Sequence, residues 1–207
     1  MKLMNQMNNK IEEGIKLLLK GRAIIIPTDT VYGLASIPTK EAIERLYILK
    51  KRDKNKKILA LVADYEDFNK LTDDVDHNLI THFLPGPLSI VCKTCDKYRD
   101  LLGDTVGIRI PNDDVARDII RKSGGILMTT SANISGEPPA TKISNISHDL
   151  LDQVDLIIET DKHLSGIPST IVSYIDKKYT LLRSGQISFE EIKKIGGATI
   201  HENDERK

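Results

Sequence analysis

The residues best suited to hold an anion fall into a few short tracts. In Thr129-Thr130-Ser131-Ala132-Asn133-Ile134-Ser135-Gly136, an apolar run from Gly125 to Met128 passes straight into hydroxyl, amide and glycine residues. Such a junction reads as a buried strand ending in a polar loop, where an open α/β sheet presents ligand-binding groups. Hydroxyls and amides are compact partners for phosphate oxygens or an amino acid and add no full charge. Pro27-Thr28-Asp29-Thr30-Val31-Tyr32-Gly33-Leu34 and Gly166-Ile167-Pro168-Ser169-Thr170 read as strand ends of the same kind.

Full charge comes from elsewhere. Lys50-Lys51-Arg52-Asp53-Lys54-Asn55-Lys56-Lys57 is the densest cationic segment. It is either a solvated run helping a helix C-terminus or a phosphate clamp, with Lys as point charge and Arg as bidentate fork. Arg109, in Gly107-Ile108-Arg109-Ile110-Pro111, is flanked by apolar residues and is costly to bury unpaired. It either meets a carboxylate or faces a ligand anion. Arg183, in Leu182-Arg183-Ser184-Gly185, poses the same question, and two such arginines favour an anion site.

Other chemistries lack their residues. The chain has no G-x4-G-K-[ST], no G-x-G-x-x-G and no G-x-S-x-G. Catalysis would therefore rest on positioning and electrostatics, which suits phosphoryl or nucleotidyl transfer. Cys92 and Cys95 stand in a C-x-x-C spacing, but no second ligand pair or H-x3-5-H accompanies them, so a zinc site is not expected. Lys93, Thr94, Asp96 and Lys97 read as a polar connection, which argues against a redox pair opening a helix. No metal site is expected.

The elements that would position these tracts alternate. Ile11, Ile15, Leu18 and Leu19 mark an amphipathic first helix; Ala23–Ile26 is a continuous apolar run, hence a central strand. A helix from about Lys40 to Lys50 and a strand Ile58–Val62 follow, then weaker helices over Glu66–Leu71 and Asp76–Phe83. Strands are expected at Leu88–Cys92, Val106–Ile110, Ile126–Thr129, Leu156–Ile158, Thr170–Ser173 and Tyr179–Leu182. Asn112 is expected to cap a helix through Arg121, and Ser188 with Glu191 forms a capping box opening a last helix to Ile195. Ser135–Ser147 is the longest loop. The expectation is one α/β domain over residues 1–207, with a twisted open mixed sheet, a core at about 11–195 and a polar tail at 198–207.

Apolar residues at 40 % and charged residues at 29 % fit a globular protein. Lys plus Arg equals Asp plus Glu at 30 each, so RNA binding would need a local patch and would be weak. No apolar run is long enough to span a membrane, and the first residues lack a signal-peptide apolar region, so a cytoplasmic protein is expected.

Taken in order, the tracts Pro27–Leu34, Lys50-x-Arg52, Phe83-Leu84-Pro85-Gly86-Pro87-Leu88-Ser89, Gly107–Pro111, Ser131–Gly136, Pro168-Ser169-Thr170 and Arg183-Ser184-Gly185 resemble the YrdC/Sua-type threonylcarbamoyl-AMP synthases. The resemblance spans roughly Ile11 to Ile195. It implies a synthase that makes threonylcarbamoyl-AMP and pyrophosphate from L-threonine, bicarbonate and ATP, with Mg2+ accompanying ATP and no tightly bound cofactor. The product would feed a tRNA-modification complex acting on the adenosine beside the anticodon. By the same resemblance, Thr28, Thr30, Tyr32, Arg109, Ser131 and Ser169 hold threonine. Lys50 and Arg52 are catalytic phosphate clamps, and Lys56, Thr105, Asn133, Thr141 and Arg183 contact the nucleotide. Lys57 stands where many members have Pro, and Leu61 lies near where some have His. Two other readings share the fold: a non-catalytic member binding double-stranded RNA or tRNA, and a paralogue making another carbamoyl adenylate.

Overall fold

Period-2 alternation along the strands sorts the apolar residues into two layers. The computed structural model describes residues 2–196 and 199–200, with side chains described for 6–196. In β1 (Ile24–Ile26), Ile24 and Ile26 join one apolar cluster and Ile25 joins the other. The smaller cluster is closed by α1 (Lys2–Leu19) through Ile11, Ile15 and Leu18, and by α6 (Asp114–Lys122) through Ile119 and Ile120. The larger cluster lies on the other face. There it takes in Leu46 and Leu49 of α2 (Lys40–Leu49), Phe68 of α3 (Tyr65–Asn69), Leu79 of α4 (His77–Phe83), Leu150 of α7 (His148–Leu151) and Ile192 of α8 (Phe189–Ile195).

The remaining elements are β2 (Gly33–Ser36), β3 (Leu59–Val62), β4 (Leu88–Lys93), α5 (Asp96–Leu102), β5 (Thr105–Arg109), β6 (Ile126–Ser131), β7 (Leu156–Ile157), β8 (Thr170–Ile175), β9 (Lys178–Arg183) and β10 (Thr199–Ile200). Among the described residues they form one mixed sheet in the order β10-β9-β8-β4-β5-β3-β6-β2-β1-β7. The pairs β3–β5, β4–β8, β1–β7 and β9–β10 are parallel; the others are antiparallel. The expected open mixed sheet with flanking helices is therefore present.

Several local expectations change. β2 had no counterpart in the pattern: its residues, Gly-Leu-Ala-Ser, are small and all buried. The supposed polar connection after β4 is helix α5, with Cys95 at its N-cap position. Cys92 stays inside β4, fully buried, and its thiol is pushed up to about 12 by desolvation; both thiols are free. Asp113, not Asn112, caps α6, accepting from the Ala116 N–H at 2.8 Å. The Ser169-Thr170 tract leads into β8 instead of following a strand. Ser188 and Glu191 do form the capping box of α8. The expected tail at 198–207 lies outside the described residues except for the backbone of β10.

Candidate active site in the uncovered half of the sheet

The face packed by α1 and α6 is covered only in part. Beyond them, β3, β5, β4 and β8 leave a cavity of about 450 Å3. Its floor follows the strand registers: Leu59 pairs with Gly107 and Thr129, Leu61 with Arg109, and Ser131 with Gly33. Thr105 and Arg109 begin and end β5, so about 13 Å of strand separates the two ends of the floor at roughly 3.3 Å per residue.

At one end stands Arg109, 5 % exposed. Its Nε donates to Gly86 O at 2.9 Å, Nη1 to Thr30 Oγ1 at 2.9 Å and Nη2 to Asp29 Oδ1 at 2.6 Å. Burial pulls its pKa down and the Asp29 carboxylate opposes that. Of the two readings of Arg109, the carboxylate pair is observed, and the residue lines the cavity as well. Thr28 Oγ1 lies 3.1 Å from Thr30 Oγ1 and donates to Val31 O, so the Thr28–Thr30 turn is tied to itself and to Arg109. Gly86 must be glycine here, because a Cβ would lie 2.3 Å from Phe83 O.

Arg183 joins this end from β9. Its Nη2 donates to Ser169 O at 2.7 Å and to Ser169 Oγ at 3.1 Å, and its Nε to Ser169 O at 3.2 Å. Ser169 Oγ is also 2.8 Å from the buried Ser89 Oγ. This approach needs Gly185, where a Cβ would meet Pro168 O and Thr170 N at 2.3 Å each. Desolvation and then the neighbouring charge of Arg109 lower the Arg183 pKa, and both residues line the cavity.

At the other end stand Arg52 and Lys57. Arg52 donates from Nε to Lys56 O at 2.9 Å and from Nη2 to Lys57 O at 3.0 Å. Lys57 Nζ donates to Thr105 O at 2.6 Å and Thr105 Oγ1 at 2.8 Å. Burial lowers the Arg52 pKa. Among the described residues, neither Arg52, Lys57 nor Arg183 has a carboxylate partner, whereas Lys51 and Lys54 pair with Asp149 and Glu44.

Of the residues expected in the site, Thr28, Thr30, Arg52, Thr105, Arg109, Ser131, Ser169 and Arg183 line this one cavity. Five do not. Lys50, 2 % exposed, sits beneath the Ser131–Asn133 tract, where Nζ meets Ser131 O at 2.6 Å, Ser131 Oγ at 3.1 Å, Asn133 Oδ1 at 2.7 Å and Asn133 O at 3.0 Å. Its ammonium bonds protein oxygens and does not line the cavity. Desolvation, aided by Arg52, pushes its pKa down to about 7, with Glu137 pulling the other way. Asn133 is buried by the same bonds. Tyr32 points into the larger core, its OH accepting from the Thr160 N–H. Lys56 and Thr141 lie off the wall. Pro139 and Ile171, which no functional tract singled out, are on it, as are Lys57 and Leu182, which the tracts contained without a site role of their own. Counting two residues back from Leu59 on the strand would have found Lys57.

The fold and site together define a class: a mixed α/β protein whose half-covered sheet holds an anion-binding cavity of hydroxyls and arginines. The profile of the Sua5/YciO/YrdC family, described as telomere recombination, matches residues 16–185, and the chain belongs to that family. It is 35 % identical over 181 residues to a putative threonylcarbamoyl-AMP synthase of Methanocaldococcus jannaschii, covering 86 % of each chain. It is 30 % identical to the threonylcarbamoyl-AMP synthase of Pyrococcus abyssi, covering 93 % of this chain but 59 % of that one. Among solved structures it resembles P. abyssi Sua5 complexed with L-threonine, with TM-score 0.84, 29 % identity, and coverage of 92 % of this chain and 58 % of that chain. The fold also matches Escherichia coli YciO at TM-score 0.79 and 23 % identity, over 87 % of this chain and 91 % of that one. No helix among the described residues is long and apolar enough to cross a membrane.

Proposed function

We propose that the chain is a nucleotidyl-transferring L-threonylcarbamoyladenylate synthase, acting as one domain in the cytoplasm and passing its product to tRNA-modifying machinery. The carrying observation is a single cavity lined by hydroxyls, with cations at both ends that lack carboxylate partners among the described residues. The synthase names of the relatives, and the threonine complex of a structural neighbour, support the same substrates.

The amino acid fits the end bearing Thr28, Thr30, Arg109 and Ser169, and the nucleotide extends toward Arg52. Threonine's amine combines with bicarbonate, losing water, to give N-carboxy-threonine. Its carboxylate attacks the α-phosphorus in line and pyrophosphate leaves. Arg52 offsets charge developing on the phosphates, and the tied Thr28–Thr30 turn holds its hydroxyls in place before the substrate arrives. The wall does not suit a protein-held divalent cation, since it offers cations and hydroxyls and the nearby Asp29 is engaged by Arg109. Mg2+ would enter on the nucleotide's phosphates, as part of the substrate.

Pyrophosphate release from ATP tests the proposal. Release requiring both L-threonine and bicarbonate is expected. Release without threonine, or none while ATP still binds, would point to a paralogue with another carbamoyl substrate.

A further inference from the structure

Among the described residues, Lys57 is the one cation on the cavity wall to which the resemblance assigns no role; it closes the cationic run Lys50–Lys57. Its placement follows from alternation. Lys57, two residues before β3, lines the cavity with Leu59 and Leu61 of that strand, while Ala60 belongs to the core cluster of the other layer and Ile58 reaches both. The parallel pairing of Leu59 with Gly107, carried two residues back, sets Lys57 beside Thr105, where its ammonium is bonded. Arg52 holds the carbonyls of Lys56 and Lys57, which fixes the turn that leads into β3. An Asx turn, with Asn55 N–H donating to Asp53 Oδ1 at 2.9 Å, pins the tip of the same loop.

Both ends hold a cation without a carboxylate partner among the described residues, but only the Arg52 end holds two side by side; at the other, Arg183 is the one such cation and bonds Ser169. Arg109 is neutralised in place by Asp29 at 2.6 Å. Arg52 and Lys57 stand together with no carboxylate partner among the described residues. Lys57 spends two of its three protons on Thr105, and Arg52 leaves Nη1 without a partner among the described residues. Adjacent unpaired cations match a ligand group carrying several negative charges on adjoining phosphates.

We propose that Lys57, together with Arg52 and the Thr105 hydroxyl, forms the subsite for the two terminal phosphates of a nucleoside triphosphate. These are the phosphates that leave as pyrophosphate, so Lys57 discriminates ATP from AMP. The identity of the nucleotide rests on the synthase reading; the polyphosphate subsite rests on the geometry.

Calorimetric titration of the whole chain with ATP, inorganic pyrophosphate and AMP tests it, comparing wild type with Lys57→Met. Lys122→Met, which removes an exposed lysine paired with Asp118, controls for net charge. Lys57→Met should weaken ATP and pyrophosphate by about fivefold and AMP by less than about twofold, with the control unchanged. Equal weakening of ATP and AMP, or none, overturns the subsite. The synthase reading is then judged separately, by threonine-dependent pyrophosphate release from wild type. Wild type that binds neither ATP nor pyrophosphate overturns both.

Discussion

The two ends of the cavity are built in opposite ways. At the Arg109 end, Arg109 bonds Asp29, Thr30 and Gly86, Ser169 bonds Ser89 and Arg183, and most of these groups are buried. At the Arg52 end, two cations are held by backbone carbonyls and a hydroxyl and meet no carboxylate among the described residues. The first end is a rigid template suited to a small substrate whose shape must be recognised. The second is an open electrostatic clamp suited to a flexible polyanion. In the first, removing a residue damages the fold and the site together; in the second, it damages binding with little loss of stability.

The largest expected effect tests that division. Arg109→Ala strips Asp29 and Thr30 of their partner in a buried setting and should lower unfolding free energy by about 3 to 5 kcal/mol in denaturant titration. A variant of wild-type stability would remove the template argument. Arg52→Ala should leave the thermal midpoint nearly unchanged and reduce pyrophosphate release by about 100-fold or more. An active Arg52→Ala enzyme would end its assignment as the clamp. Ser169→Ala should raise the KM for threonine by about tenfold and leave that for ATP within about twofold. The reverse pattern would exchange the roles of the two ends.

The smallest effect concerns Lys50, which ties the Ser131–Asn133 tract from below. Its folded pKa, about 7, lies under the ordinary 10.5. Between these values the unfolded chain holds a proton that the folded chain has released, so stability rises with pH across that window. Below about pH 7 both states carry the proton and this group adds no slope. Lys50→Met should flatten the rise while lowering stability at neutral pH, because Ser131 O and Asn133 Oδ1 lose their donor. An unchanged slope would mean that Lys50 keeps its proton throughout.

Most strands were legible because they are short, mainly apolar runs: the expected Ala23–Ile26, Ile58–Val62 and Leu88–Cys92 match β1, β3 and β4 to within a residue at either end. β2 was not, since Gly33-Leu34-Ala35-Ser36 carries little hydrophobic signal and becomes a strand by pairing with both β1 and β6. α5 was hidden because Asp96-Lys97-Tyr98-Arg99-Asp100 has no buried residue to set a helical period. In the site, the hydroxyl tracts and the three arginines were visible as types. Lys50 and Asn133 bond each other off the cavity wall, which the motif could not show because it marks residues that act together and not which of them face the cavity.

The sequence by itself determined which segments are apolar enough to be strands, where the capping box of the last helix lies, and which hydroxyls and cations crowd the strand ends. Those properties are local, set by side chains within a few residues of one another. The tertiary structure decided the partners: Asp29 with Arg109, 80 residues apart, and Lys50 with Asn133, 83 apart. It also turned Lys57, not Lys56, onto the cavity wall. A charge's role depends on what lies across the sheet from it and on how much water remains there, and both exist only once distant strands have paired.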